Sequence, residues 1–190
     1  MKMGFLGGTF DPIHFGHLNL AIELMERHKL DKVLFCPAGL SPGKEEAPPR
    51  AGAADRLEMV KLAIEPLPAF SVTDIELKRG GPSYTIDTLR ALQKQLPLAQ
   101  FHLLLGEDLL VGLSHWKEIE NLLKLAPPLV GTRKLKSFPP LKSVATGLTQ
   151  IPLLDISSTQ VRDRIEKDQY CGYLLPAKVL DYIAQHRLYS

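Results

Sequence analysis

The sequence predicts an α/β protein built as a doubly wound, mostly parallel sheet with helices on both faces. Two observations carry this expectation. Short apolar runs alternate with longer amphipathic stretches along the whole chain, and glycine- or serine-containing turns follow several of the apolar runs. At 190 residues, with 45% hydrophobic and 23% charged residues, the chain is long enough for one substantial core. One domain over residues 1–190 is therefore expected.

In chain order, the elements read as a strand over residues 3–6, a helix over 16–27, a strand over 32–36 and a helix over 51–64. A strand over 70–73, a helix over 85–95 and a strand over 101–105 come next, each apolar run being short and each amphipathic run spanning three turns or so. After them the pattern predicts a helix over 115–125, strands near 129–131 and 150–154, and helices near 159–167 and 176–186. The expected architecture is Rossmann-like. Ligands on such sheets bind outside the carboxyl ends of the strands, near a reversal in strand order, so chemistry-bearing residues are sought just after strands. Residues 38–50 and 133–147 break the alternation, carry Pro, Gly and Lys, and are long enough to serve as substrate loops or as plain surface.

Composition narrows the function classes. A net charge of only +2, with no Lys/Arg-rich block, lacks the footprint of a nucleic-acid or membrane-surface binder and suits a small polyanionic substrate better. Cys36 and Cys171 form no CxxC pair and suggest neither zinc nor a disulfide framework. Read as buried thiols, they fit a reducing, cytoplasmic setting. The first residues run directly into a strand ending at Gly7-Gly8, too short and glycine-rich for a signal peptide or membrane span, so the mature protein is expected to start here.

The segment Gly7-Gly8-Thr9-Phe10-Asp11-Pro12-Ile13-His14-Phe15-Gly16-His17 links the first strand to the first helix. Gly7 and Gly8 allow a tight turn and a close backbone approach, Thr9 offers a hydroxyl, and the helix N-terminus adds partial positive charge. His14 and His17, three apart, can face one side and donate to phosphate oxygens whose charge rises in a transition state. A metal pair or two structural histidines would show the same spacing, although zinc lacks nearby third and fourth ligands. The segment is neither a Gly-x-Gly-x-x-Gly fingerprint nor a Walker loop.

A second segment, Ile156-Ser157-Ser158-Thr159-Gln160-Val161-Arg162, follows a strand and opens a helix. Ser157, Ser158 or Thr159 can be the N-cap. Arg162, a cation expected in the first turn of that helix, opposes the helix dipole and so suggests an anion beside it.

Together these segments resemble the signatures of the His-x-Gly-His adenylyltransferase superfamily, and the first resembles, more narrowly, that of bacterial-type nicotinate mononucleotide adenylyltransferases. The resemblance implies adenylyl transfer from ATP to nicotinate mononucleotide, giving deamido-NAD and pyrophosphate, a step of NAD biosynthesis. It implies an ATP site of Gly7, Gly8, Phe10, His14, His17, Gly106, Asp108, Ile156, Ser157 and Arg162, completed by the helical part from about residue 156 onward. Leu105-Gly106-Glu107-Asp108 looks like the family's Gly-x-Asp, where the aspartate meets a ribose hydroxyl, although Asp108 could equally cap a helix.

Other residues bear on the acceptor. Gly80-Gly81-Pro82-Ser83-Tyr84-Thr85 is a turn before a helix, with Ser83 or Thr85 as a plausible cap, and it resembles the segment facing the pyridine ring. Trp116, the single tryptophan, resembles the residue that stacks on that ring, while a lone Trp is more often a packing anchor. The mononucleotide site then comprises Thr9, Lys44, Ser83, Tyr84, Thr85, Trp116 and Arg133. Arg133 lacks the usual following Pro-Gly, which is replaced by Lys134-Leu135. Ser41-Pro42-Gly43-Lys44 stands where the family commonly has Pro-Pro-His-Lys, so Gly43 replaces a histidine. His14, His17, Lys44 and Arg162 are the expected catalytic groups.

No metal site is expected in the protein itself; Mg²⁺ is expected on the ATP phosphates. Neither nucleic acid nor membrane is expected as a partner, and a homo-oligomer is left open. Two other readings stand beside this one: another adenylyltransferase of the superfamily, such as a pantetheine-phosphate enzyme, and a non-catalytic nucleotide sensor.

Overall fold

The structure is a computed structural model that describes residues 1–40, 48–133 and 144–190. Within them six strands form one sheet: β1 (Lys2–Gly8), β2 (Lys32–Pro37), β3 (Phe70–Val72), β4 (Gln100–Gly106), β5 (Pro128–Thr132) and β6 (Leu148–Gln150). Seven helices accompany them: α1 (Phe15–His28), α2 (Ala53–Ile64), α3 (Ile75–Arg79), α4 (Thr85–Gln95), α5 (Ile119–Leu125), α6 (Ser158–Glu166) and α7 (Ala177–Gln185). The strand order is β3-β2-β1-β4-β5-β6, and every pairing is parallel. The chain thus winds outward from β1 to β3, returns to place β4 against β1, and winds outward again to β6. That reversal puts a crevice beyond the carboxyl ends of β1 and β4.

Strand periodicity decides which helices go where. Leu6, Val33, Phe35, Leu104 and Leu129 face one side, where they pack with Leu24 of α1, Met59 of α2, Val161 of α6 and Val179 of α7. Phe5, Leu34, Leu103, Leu105 and Val130 face the other, against Leu89 of α4 and Leu122 of α5. Successive side chains point to opposite faces, so a strand apolar at every position must be covered twice.

Three elements differ from the sequence pattern. The helix expected over 115–125 begins only at Ile119, because Trp116 is extended (φ −70°, ψ 143°) and Glu118 is left-handed (φ 50°, ψ 44°). Ion pairs hold that bend down on α4: Lys117 to Asp87 at 2.8 Å and Arg90 to Glu118 at 2.6 Å. The strand expected near 150–154 is instead Leu148–Gln150; beyond it Pro152 cannot donate to the ladder, and its carbonyl accepts from the Asn19 side chain at 2.6 Å. Helix α3 has only five residues, too few to leave a periodic signature. The expected substrate loops fall largely on residues 41–47 and 134–143, outside the described residues, and Lys44 with them.

Leu24 is fully buried beneath the sheet. Leu24→Ala should lower the free energy of unfolding by about 2–5 kcal/mol in urea melts. A change below about 1 kcal/mol would show that α1 is not the core helix described.

Candidate active site

Strand β1 delivers Gly7 and Gly8 to the crevice, and the following loop is fixed from beneath. Arg56 of α2, 2% exposed, donates from one guanidinium nitrogen to the carbonyls of Thr9 (2.7 Å) and Ala38 (2.8 Å). The Asp11 carboxylate accepts the amides of Arg50 (2.8 Å) and Ala51 (3.0 Å) and the hydroxyl of Tyr189 (2.7 Å). Phe10 takes a left-handed backbone (φ 50°), and its ring turns into the core against Phe35 and the edge of His17. Any contact of Phe10 with a ligand is therefore left to its backbone.

His14 is the N-cap of α1, and His17 lies one turn on; their ring centroids are 3.8 Å apart. The His14 amide donates to His17 Nδ1 at 3.3 Å, so a neutral His17 carries its proton on Nε2 and offers it as a donor. His14 Nδ1 is buried without a hydrogen-bond partner. A Cβ at Gly16 would sit 3.0 Å from the His14 ring and 3.5 Å from the Ile156 carbonyl, so this position is kept bare where two segments meet. Burial lowers the His14 pKa from 6.5 to about 4, and burial with the neighbouring His14 pushes His17 well below 6.5. Both rings are neutral donors at neutral pH.

The second segment lies directly on the first. Ser157 caps α6, its hydroxyl accepting the Gln160 amide at 3.1 Å. Ser158 instead donates to the Pro12 carbonyl at 2.9 Å. Arg162 lies in the second turn of α6 rather than the first, and reaches back to the Asp11 carbonyl (2.6 Å) and the Thr159 hydroxyl (3.0 Å). Its guanidinium stands 3.9 Å from the Asp11 carboxylate.

A cavity of about 850 Å³ opens over these elements. Of the residues singled out from sequence, Gly7, Gly8, Thr9, His14, His17, Ser83, Tyr84, Thr85, Gly106, Asp108, Trp116, Arg133, Ile156 and Ser157 all line it. Phe10 and Arg162 are not among its lining residues. Asp108 is exposed just past β4, and Arg133 pairs with Asp155 at 3.1 Å across the rim.

At the far end, Gly80 (φ 68°) and Gly81 (φ 70°) make a turn that suits glycine, and it delivers Ser83 to Thr85. Neither expected cap forms: Tyr84 is the N-cap of α4 without a side-chain bond, and the buried Ser83 hydroxyl has no partner. The first amides of α4 are consequently not capped by side chains, and Ser83, Tyr84, Thr85 and Ile86 line the cavity. Trp116 is half-buried, partly packed against the α4–α5 core, and still lines the cavity.

Sequence reasoning passed over four residues that the geometry brings in. Arg56, the Asp11 carboxylate and Tyr189 support the first loop, and Glu107 joins the ends of β4 and β5 by accepting from the Thr132 hydroxyl and the Arg133 amide (3.1 Å). Their bonds span 18 to 178 residues, so no local pattern marks them.

The low histidine pKa has a measurable consequence. Folded His14 takes its proton near pH 4 and the unfolded chain near 6.5, so between these values the unfolded state binds more protons and stability falls as pH falls. Acidification from pH 7 to about 4.5 should cost the wild type about 2–3 kcal/mol more than it costs His14→Asn. Parallel stability–pH curves for the two proteins would contradict the buried, neutral assignment.

Residues 5–164 match the cytidylyltransferase-like family. A protein of Synechococcus sp. (strain JA-3-3Ab), described as a probable nicotinate-nucleotide adenylyltransferase, is 41% identical over 99% of this chain and 94% of its own. A protein of Dehalococcoides mccartyi (strain CBDB1) with the same description is 44% identical over 100% of this chain and 97% of its own. In fold, the chain is similar to the Plasmodium falciparum nicotinic acid mononucleotide adenylyltransferase complexed with NaAD, with a TM-score of 0.79 at 20% identity over 99% of this chain and 97% of that one.

Proposed function

The chain belongs to the cytidylyltransferase-like family, where it stands with the nicotinate-nucleotide adenylyltransferases, and we propose that its cleft transfers the adenylyl group of ATP to nicotinate mononucleotide. The products are deamido-NAD and pyrophosphate. The observation that carries this reading is the fastening of α6 onto the first loop, Arg162 on Asp11 and Ser158 on Pro12, over the strand-order reversal. Two segments, each suited to phosphate, thereby face one cavity.

In this reading a phosphate oxygen of the mononucleotide attacks the α-phosphorus in line and the bond to pyrophosphate breaks. The nucleophile is ionised at neutral pH, so no general base is needed and catalysis rests on positioning and charge stabilisation. His17 donates from Nε2 to an α-phosphate oxygen, His14 lines the same wall, and Arg162 and Lys44 supply positive charge. Gly7, Gly8 and the backbone of Phe10 cradle the nucleotide, Asp108 meets the ribose beside Gly106, and Ile156 and Ser157 complete the ATP wall. We read residues 1–190 as one unit whose part from about 156 onward closes that wall. Thr9 and Arg133 serve the mononucleotide phosphate, and Trp116 stacks on its pyridine ring.

Mg²⁺ fits this cleft as part of the nucleotide. The carboxylates of Asp11, Glu76 and Glu107 are each taken by protein donors, and among the described residues no group of three or more His, Cys, Asp or Glu gathers as a cage. An ion held by phosphates and water suits such a site. When bound there it neutralises charge on the leaving pyrophosphate. Among the described residues no helix is long and apolar enough to cross a membrane, and we place the activity in the cytoplasm.

Two measurements test the reading. His17→Ala should lower kcat for pyrophosphate release by roughly 10²–10³-fold, the loss of one preorganised donor, with much less effect on ATP binding; turnover at the wild-type rate in a folded variant would remove that role. The α4 amides, free of side-chain caps, favour a carboxylate, which accepts at both oxygens, over an amide whose NH₂ would face donors. The kcat/KM for nicotinate mononucleotide should exceed that for nicotinamide mononucleotide by at least about tenfold. Equal values would sink the donor arrangement and leave adenylyl transfer standing.

A further inference from the structure

Asp11 holds an unusual position among the groups around the first loop. The residue is 5% exposed, and its carboxylate meets groups from three distant segments, at Arg50-Ala51, Arg162 and Tyr189. One oxygen accepts the Ala51 amide and the Tyr189 hydroxyl; the other accepts the Arg50 amide and stands 3.9 Å from the Arg162 guanidinium. Arg162 spends its short bond on the Asp11 carbonyl, not on the carboxylate. The oxygen that faces Arg162 holds one protein donor, the Arg50 amide, and the other holds the Ala51 amide and the Tyr189 hydroxyl, so three bonds fix the plane of the carboxylate with Arg162 at 3.9 Å.

Two of those donors are backbone amides. The third is a side chain brought from beyond α7. Tyr189 is 6% exposed, and its ring belongs to the core that carries α1, α2 and α7. The chain reaches it through two left-handed non-glycine residues, Arg187 (φ 50°) and Tyr189 itself (φ 66°), with the Leu188 amide bonded back to Ile183 at 3.0 Å. Backbone in that region is disfavoured for side chains of this size and persists only where the surroundings enforce it. Burial and the bond to Asp11 raise the phenol pKa, so the hydroxyl stays a donor throughout the physiological range.

We infer that Tyr189 is a positioning residue for adenylyl transfer: by donating to Asp11 it holds that carboxylate off Arg162 and keeps the guanidinium available to the triphosphate. The inference rests on the assignment of Arg162 to the ATP phosphates proposed above. Without the hydroxyl the carboxylate loses one of the three bonds that fix its plane and can turn toward Arg162, and a buried charge left partly unsatisfied pulls hard. The guanidinium then closes on Asp11 and competes with substrate.

Tyr189→Phe keeps the ring and removes only the donor. We expect kcat/KM for ATP, read as pyrophosphate release, to fall about tenfold, the scale of one hydrogen bond to a charged group. The KM for nicotinate mononucleotide should stay within about twofold, because the Ser83–Trp116 end is untouched. In an Arg162→Ala background the same substitution should change nothing further, since the residue it acts through is gone. Equal losses in both backgrounds, or a lower melting temperature with kcat/KM intact well below melting, would make Tyr189 merely structural and overturn the inference. Arg162→Ala turning over at the wild-type rate would instead remove the assignment of Arg162 and the inference with it.

Discussion

The first loop can serve a ligand only if its backbone stays where β1 delivers it, and the buried carboxylate of Asp11 fixes it there. A charge so far from water is tolerated only when its lone pairs are filled, and here the donors come from residues 50 and 51 and from Tyr189. Removing them would leave a buried anion several kcal/mol out of balance. The entry to α2, the start of α6 and the segment after α7 are thus held to one point, and the cavity is the space left between them. Arg56 does the same for the neighbouring carbonyls of Thr9 and Ala38, joining the ends of β1 and β2 from below.

This support determines the electrostatics of the site. The two histidines beside the α1 N-terminus, their rings tilted at 3.8 Å, are both kept neutral by burial. Fixed positive charge at the cavity comes from Arg133 and Lys117, which line it, with Arg162 and Lys44 added in the proposed reading and the partial charge of the α1 N-terminus beside them. Neutral donors already aimed at the cavity need no reorganisation when charge develops on a phosphate, which is where preorganised hydrogen bonds act most strongly. At the opposite end the α4 amides offer the same arrangement to a carboxylate. In the proposed reading, both helix starts that line the cavity serve anionic groups, and the half-buried Trp116 lines the same cavity.

Much of this was legible in the residues. Alternating runs gave the parallel sheet, and the sheet told where to look; the loop from Gly7 to His17 and the segment from Ile156 to Arg162 stood out because their residue types are costly or unhelpful unless an anion is near. What stayed hidden depends on contacts between distant residues. Arg56 looks like any arginine in an amphipathic helix, and Tyr189 like any aromatic after one, until their partners 47 and 178 residues away are known. Ser83 and Thr85 have cap-forming side chains but do not cap, since tertiary placement at the cavity overrides the local preference. The bend at Trp116 looks helical in sequence because nothing nearby announces the ion pairs with Asp87 and Arg90 that hold Lys117 and Glu118 away from helical geometry.

That two segments almost 150 residues apart form one phosphate site is tested most directly by a crystal structure of the protein with a non-hydrolysable ATP analogue. The account predicts the α-phosphate within hydrogen-bond distance of His17 Nε2, with Arg162 drawn from Asp11 toward the β- or γ-phosphate. A triphosphate bound clear of the first loop, or held there while Arg162 stays on Asp11, would contradict it.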